Sequence, residues 1–194
     1  EVRVKLAASG VNPADCYRRR GQAGAMEGPR IIPNSDGAGV VDQIGAGVPQ
    51  AWLGRRVWLY NGQRGGRALG TAAEYIALPI DLVSALPDDT GFDAGACLGI
   101  PCMTAHRAVF TDGPIAGKTV LVTGGAGAVG HYAVQLAVWG GARVVATVSS
   151  PEKAAHALAG GGALAIDYKR ENVVATIRDF TKGDQPGGFE VPVA

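Results

Sequence analysis

The stretch from Thr119 to Val148 constrains this chain more than any other. Thr119-Val120-Leu121-Val122 is a short apolar run of the kind that makes a strand buried on both faces. Thr123-Gly124-Gly125-Ala126-Gly127-Ala128-Val129-Gly130 follows, then a helical pattern to about Gly140, then a second strand pattern from Arg143 to Val148. Gly125, Gly127 and Gly130 stand at G-x-G-x-x-G spacing between the first strand and the helix. In that setting Gly125 is expected to permit a tight turn and Gly127 to let a pyrophosphate approach the backbone, while Gly130 lets helix and strand pack closely. The helix N-terminus beyond the turn offers free N–H groups and a favourable dipole to an anion. Strand, turn, helix and strand in this order predict a dinucleotide site over Gly125, Ala126, Gly127, Ala128, Val129 and Gly130.

The pattern continues after Val148. Pro151 to Leu158 reads as a helix, with Ser150 as N-cap, Pro151 at the first helical position and Gly160 past the end. Ala163 to Ile166 reads as a third strand, and residues 171–181 as a helix with Val173, Ile177 and Phe180 on one face. Strands alternating with helices predict a parallel, doubly wound sheet, of which about half is present. A site for NAD usually places an acid at the end of the second strand to hold the ribose hydroxyls. Here that position reads Thr147-Val148-Ser149-Ser150, with Lys153 one helical turn on and Tyr168-Lys169-Arg170 just after the third strand. Hydroxyl donors and cations suit a 2′-phosphate, so NADP(H) is the predicted cofactor, bound in part by Ser149, Ser150, Lys153 and Tyr168. Glu152 is the dissenting residue, although an acid in a first helical turn also suits the helix dipole.

Residues 1 to about 90 follow a different pattern. Val2, Val4 and Leu6 alternate with Arg3 and Lys5, as in a half-buried strand. Residues 37–41, 56–60 and 73–78 read as further strands, separated by glycine-rich turns, and 61–70 as an exposed, mobile loop. This half predicts a small antiparallel barrel. Helical stretches fall in 93–111, and Pro114 marks a break, which divides the chain into 1–113 and 114–194.

Composition narrows the function classes. A formal charge of +1 gives no electrostatic case for nucleic acid as the main partner or for an anionic membrane surface. No apolar run reaches membrane-spanning length and no leader pattern stands at the start, so the chain reads as cytoplasmic. Cys16, Cys97 and Cys102 lack the paired spacing of a structural zinc site, and Cys97 and Cys102 read as buried thiols. His106, His131 and His156 fall on predicted helices and read as surface or packing residues.

The ordered motifs resemble the zinc-free quinone oxidoreductases, the zeta-crystallin group of the medium-chain dehydrogenase/reductase superfamily. They are Ser9-Gly10-Val11-Asn12-Pro13-Ala14-Asp15, Ser35-Asp36-Gly37-Ala38-Gly39-Val40-Val41, Gly54-Arg55-Arg56-Val57, Ala73-Glu74-Tyr75, Leu98-Gly99-Ile100-Pro101-Cys102-Met103-Thr104-Ala105, the glycine turn, Ser149-Ser150 and Asp167-Tyr168-Lys169. The resemblance implies a GroES-like β-barrel domain lacking its N-terminal start, followed by a partial Rossmann domain. It implies that Asn12 and Tyr17 stand beside the nicotinamide and that Thr104 lines its pocket and touches the cofactor. Zinc alcohol dehydrogenases of the same superfamily carry a Cys where Asn12 stands and Gly-His-Glu where Asn34-Ser35-Asp36 stands, so no metal is expected. The activity implied is NADPH-dependent hydride transfer to a quinone or enone, by a parent enzyme that forms homodimers among its relatives. Two rival readings are an enoyl-thioester reductase of the same superfamily and a non-catalytic, NADPH-binding crystallin or RNA-binding protein.

Overall fold

The computed structural model describes residues 1–22, 28–63, 65–182 and 189–191, the last three by backbone alone. The chain divides into two compact units, Glu1–Ile100 and Pro101–Ala194.

The first unit is built on a five-stranded antiparallel sheet. Its strands are β1 (Val2–Gly10), β2 (Asp36–Ile44), β3 (Arg56–Leu59), β4 (Tyr75–Leu78) and β5 (Val83–Ala85), paired in the order β4-β1-β2-β3-β5. The alternation read at residues 2–6 sets the inward face. Val2 and Val4 are buried with Val41, Val57, Leu59, Ile76, Leu78 and Val83, while Lys5 is exposed. Burying each such aliphatic side chain stabilises the fold by about 1.5–3 kcal/mol. β1 runs four residues beyond the alternating stretch, and its register against β2 shifts between Leu6 and Ala8. β5 was not foreseen, because three residues are too few to show a period of two.

The segment 61–70 differs in part from expectation: Gly65, Gly66 and Leu69 are exposed, but the loop is anchored on both sides of them. Gly62, Gln63 and Gly70 are buried, and the backbone of Gly70 and Thr71 donates to Ile32 and Asn34 carbonyls. Arg67 bonds the Asn61 and Gly62 carbonyls, and Arg18 bonds Gln63 through both its backbone and its side-chain oxygen. Local composition says nothing about such backbone anchoring. Arg64 lies outside the described residues.

The second unit carries a parallel sheet in the order β8-β7-β6-β9, from β6 (Thr119–Val122), β7 (Arg143–Val148), β8 (Leu164–Asp167) and β9 (Phe189–Val191). Helix α3 (Met103–Phe110) packs on α4 (Ala128–Trp139), and α5 (Pro151–Ala159) and α6 (Val173–Phe180) complete the unit. On α4, Gly130, Ala133, Val134 and Ala137 are buried at helical spacing, against Val120, Val122, Val144, Ala146 and Val148. Five of the six residues of β7 are buried, as expected of a strand covered on both faces. No helix among the described residues is long and apolar enough to cross a membrane.

Candidate active site

The glycine turn joins β6 to α4, and its backbone is held from the neighbouring strand. Gly124 N–H donates to Thr147 Oγ1 at 3.2 Å, Gly125 N–H donates to the Thr147 carbonyl at 3.0 Å, and Gly127 N–H closes the turn on Gly124 O at 2.8 Å. The three glycine tasks are partly redistributed. The residue at positive φ is Gly124, at +63°, so the tight turn depends on that position. Gly125 is needed for space: a Cβ there would lie 2.6 Å from Ala146 Cβ. Gly130 serves close packing, since its Cβ would meet Gly124 O at 2.2 Å. Gly127 is exposed at the N-cap of α4, where an added Cβ would meet only Gly124 O at 3.3 Å. The first turn of α4 is Ala128-Val129-Gly130, without an acid, and its leading N–H groups lack intrahelical acceptors. An open backbone at a helix N-terminus fits a dinucleotide pyrophosphate. Thr147, buried at the end of β7, is the member that sequence reading passed over. It stood within the quoted Thr147-Val148-Ser149-Ser150, but spacing does not reveal which of these turns back to the glycines.

At the ends of β7 and β8 the predicted phosphate readers stand together. Lys153 Nζ donates to Ser149 Oγ at 3.0 Å, and Ser150 Oγ accepts the Lys153 backbone N–H as the N-cap of α5. Tyr168 N–H donates to Val148 O at 3.1 Å, which brings the exposed Tyr168 beside the β7 end. Lys169 N–H caps Asp167 Oδ1, and Arg170 lies 3.8 Å from Asp167 Oδ2. Glu152 is exposed, and the Ser150 hydroxyl donating to its carboxylate holds it below the usual carboxylate range, with help from a backbone N–H and from Arg170.

In the first unit, Asn12 precedes α1 (Pro13–Arg19) and is buried. Its backbone N–H donates to Asp15 Oδ2 at 2.8 Å, and its side-chain Nδ2 donates to Asp36 Oδ2 at 2.8 Å. Tyr17 is half exposed on α1, the helix that Arg18 ties to Gln63. Ser35 and Asp36 are buried. Asn34 sits at φ +73°, a conformation an asparagine tolerates better than most residues, and donates to Ser9 Oγ. Among the described residues no three His, Cys, Asp or Glu side chains cluster as metal ligands would. At the positions where zinc relatives carry ligands, an amide and a hydroxyl stand beside a single carboxylate. Thr104 is exposed in the first turn of α3, in the second unit.

Cys16 and Cys97 are exposed and Cys102 is half buried, which corrects the reading of Cys97 and Cys102 as buried thiols. In helix α2 (Phe92–Gly95) and the residue after it, Gly95 and Ala96 take the inward positions and turn Cys97 outward. Partial burial pushes the Cys102 thiol up from its ordinary range. His106 and His156 are exposed on their helices, and His131 stacks on His156 at 3.9 Å between ring centroids.

Residues 1–88 match the alcohol dehydrogenase GroES-like domain, and residues 128–190 match the zinc-binding dehydrogenase family. The chain belongs to the medium-chain dehydrogenase/reductase superfamily. It is 34% identical to mouse quinone oxidoreductase over 192 residues, covering 98% of this chain and 56% of that protein. It is 35% identical over 179 residues to the chloroplastic NADPH-dependent alkenal/one oxidoreductase of Arabidopsis thaliana, covering 89% of this chain and 46% of that protein. The solved Escherichia coli quinone oxidoreductase complexed with NADPH superposes with a TM-score of 0.77 at 26% identity, covering 95% of this chain and 55% of that one. The chain thus spans about half the length of the relatives it matches. As a superfamily member its architecture is a GroES-like domain followed by a Rossmann-type parallel sheet.

Proposed function

We propose that this chain is part of an NADPH-dependent enzyme that reduces quinones or other conjugated carbonyls without zinc, divided between a GroES-like region over 1–113 and a dinucleotide-binding region over 114–194. The observation that carries the reading is the end of β7, where Ser149 and Lys153 stand hydrogen-bonded in place of the acid of an NAD site. In this reading the backbone from Ala126 to Gly130 holds the pyrophosphate, and Ser149, Ser150, Lys153 and Tyr168 hold the 2′-phosphate. Asn12 and Tyr17 of the first unit and Thr104 of the second are the residues assigned to contact the nicotinamide and the acceptor. Bound NADPH supplies the hydride. The protein's part is to fix the reacting carbons, polarise the acceptor carbonyl and supply a proton, for which the exposed Tyr17 hydroxyl or a water is suited. The mouse and Arabidopsis relatives, by their names, support a quinone or an enone as acceptor. The amide at Asn12 and the hydroxyl at Ser35 support zinc independence, because a catalytic zinc takes three protein ligands of the Cys, His or carboxylate kind. Near-neutral charge supports a protein without nucleic acid as its main partner, and a cytoplasmic location and a homodimeric parent enzyme are proposed with it.

Titration of this chain with NADPH and with NADH tests the reading. Tighter binding of NADPH, lost in Lys153→Ala, is the expected result; a preference for NADH would remove its basis.

A further inference from the structure

Three segments distant in sequence converge on the Asp36 carboxylate. Asn12 Nδ2 donates to Asp36 Oδ2 at 2.8 Å, and Ile100 N–H donates to the same oxygen at 2.7 Å. Asp36 is 1% exposed and Asn12 8%. The backbone beneath is fixed as well: Thr71 Oγ1 donates to the Asp36 carbonyl at 2.7 Å and shares a 2.9 Å hydrogen bond with Ser9 Oγ. Ile100 lies in the first turn of the π-helical segment Leu98–Cys102, where the leading N–H groups have no intrahelical acceptor and can donate sideways. Space for the carboxylate is made by Gly99, where a Cβ would lie 2.2 Å from Asp36 Oδ1.

The chemistry of this contact is directional. An asparagine amide has two ends of nearly equal shape, and a hydroxyl partner accepts either of them. Asp36 Oδ2 already accepts the Ile100 N–H, so the NH2 end of Asn12 must face it and the amide oxygen must face the opposite way. We propose that Asp36 is a positioning residue that sets the flip of the Asn12 amide and ties it to the π-turn ahead of Thr104. The proposal rests on the reading that Asn12 stands at the hydride-transfer site. It also divides the labour there: with one N–H committed to Asp36, Asn12 presents an acceptor and a single remaining donor, and Tyr17 is the fuller donor to an acceptor carbonyl.

The test compares wild type, Asp36→Asn, and the exchange variant Asn12→Asp/Asp36→Asn on the full chain. Side-chain amide resonances of Asn12, assigned by NMR, report the flip directly. Melting temperature reports folding, NADPH titration reports the cofactor turn, and kcat with a quinone reports the chemistry. In wild type one Asn12 Nδ2 proton should be shifted downfield and exchange slowly, and both features should disappear in Asp36→Asn. That variant should lose kcat by roughly tenfold or more, as small misplacements near reacting atoms do, while NADPH affinity holds. The exchange variant rebuilds a hydrogen bond with its polarity reversed. It should recover melting temperature without recovering kcat, a split that a merely structural pair would not give. Recovery of both, or an Asn12 amide that exchanges freely in wild type, would overturn the proposal. Should wild type reduce neither quinones nor enones, the proposed function fails, and the amide resonances alone still decide whether Asp36 sets the flip.

Discussion

The two candidate regions, one in each unit, are built in opposite ways. The cofactor turn is made of backbone apart from the Thr147 hydroxyl: its hydrogen bonds run between Gly124–Gly127 and Thr147, all within one strand–turn–helix–strand unit. The Asn12 corner is made mainly of side chains, from residues 12, 36 and 71, joined by a backbone N–H from Ile100. A backbone site needs the absence of side chains, which glycine spacing records. A side-chain site needs partners whose spacing in the chain is set by the whole sheet, so no local pattern records it.

That contrast can be broken by experiment. The largest effects should come from the two glycines that make room. Gly130→Ala places a Cβ against Gly124 O and should cost about 1–3 kcal/mol of stability along with most NADPH binding, by chemical denaturation and titration. Gly99→Ala crowds Asp36 similarly but should leave NADPH affinity intact; loss of cofactor binding in both variants would mean that the two halves are not separable. Next, Lys153→Ala should weaken NADPH by about 1.5–3 kcal/mol, the worth of a charged hydrogen bond, and leave NADH binding unchanged. Thr147→Val removes the side-chain acceptor of Gly124 N–H and keeps its volume. A loss of about 1 kcal/mol in the affinity of both cofactors is expected, because it acts on the turn and not on the 2′-phosphate.

The smallest effect is a pH dependence from the stacked histidines. Burial, and then the neighbouring His156, lower the His131 pKa below its ordinary value. The unfolded chain therefore binds a proton more readily than the folded one. Stability should fall as pH drops from about 6.5, the unfolded value, towards the lowered folded value, and level off below it. Replacing His156 with Gln should shrink this slope in pH-dependent melting, and an unchanged slope would assign it to burial alone.

Much of this was legible in the sequence. The strand–turn–helix unit and the Ser150 cap follow from local pattern, and the structure forms both as the pattern suggests. The alternation at residues 2–6 likewise identified an inward face. Where the reading failed, the determinant was not local. Gly124, and not Gly125, takes the positive φ, and Gly125 is needed instead for the space beside Ala146. The segment around Gln63 is anchored by Arg18, 45 positions away. Cys97 faces outward because its neighbours fill the inward positions. Asp36 was noted only as part of a motif, since nothing in its own neighbourhood names Asn12 and Ile100 as its partners.

The fit of Gly99 against Asp36 also bears on how such sequences change over time. With a carboxylate at 36, position 99 can accept no side chain without a collision at 2.2 Å, so the two sites are epistatic. Homologous chains that carry Ala or Ser at the position of Gly99 should have a shorter residue at the position of Asp36, acquired first. In an ordered series of substitutions, the mutation at 36 should be permissive for the one at 99, and the reverse order should pass through a poorly folding intermediate.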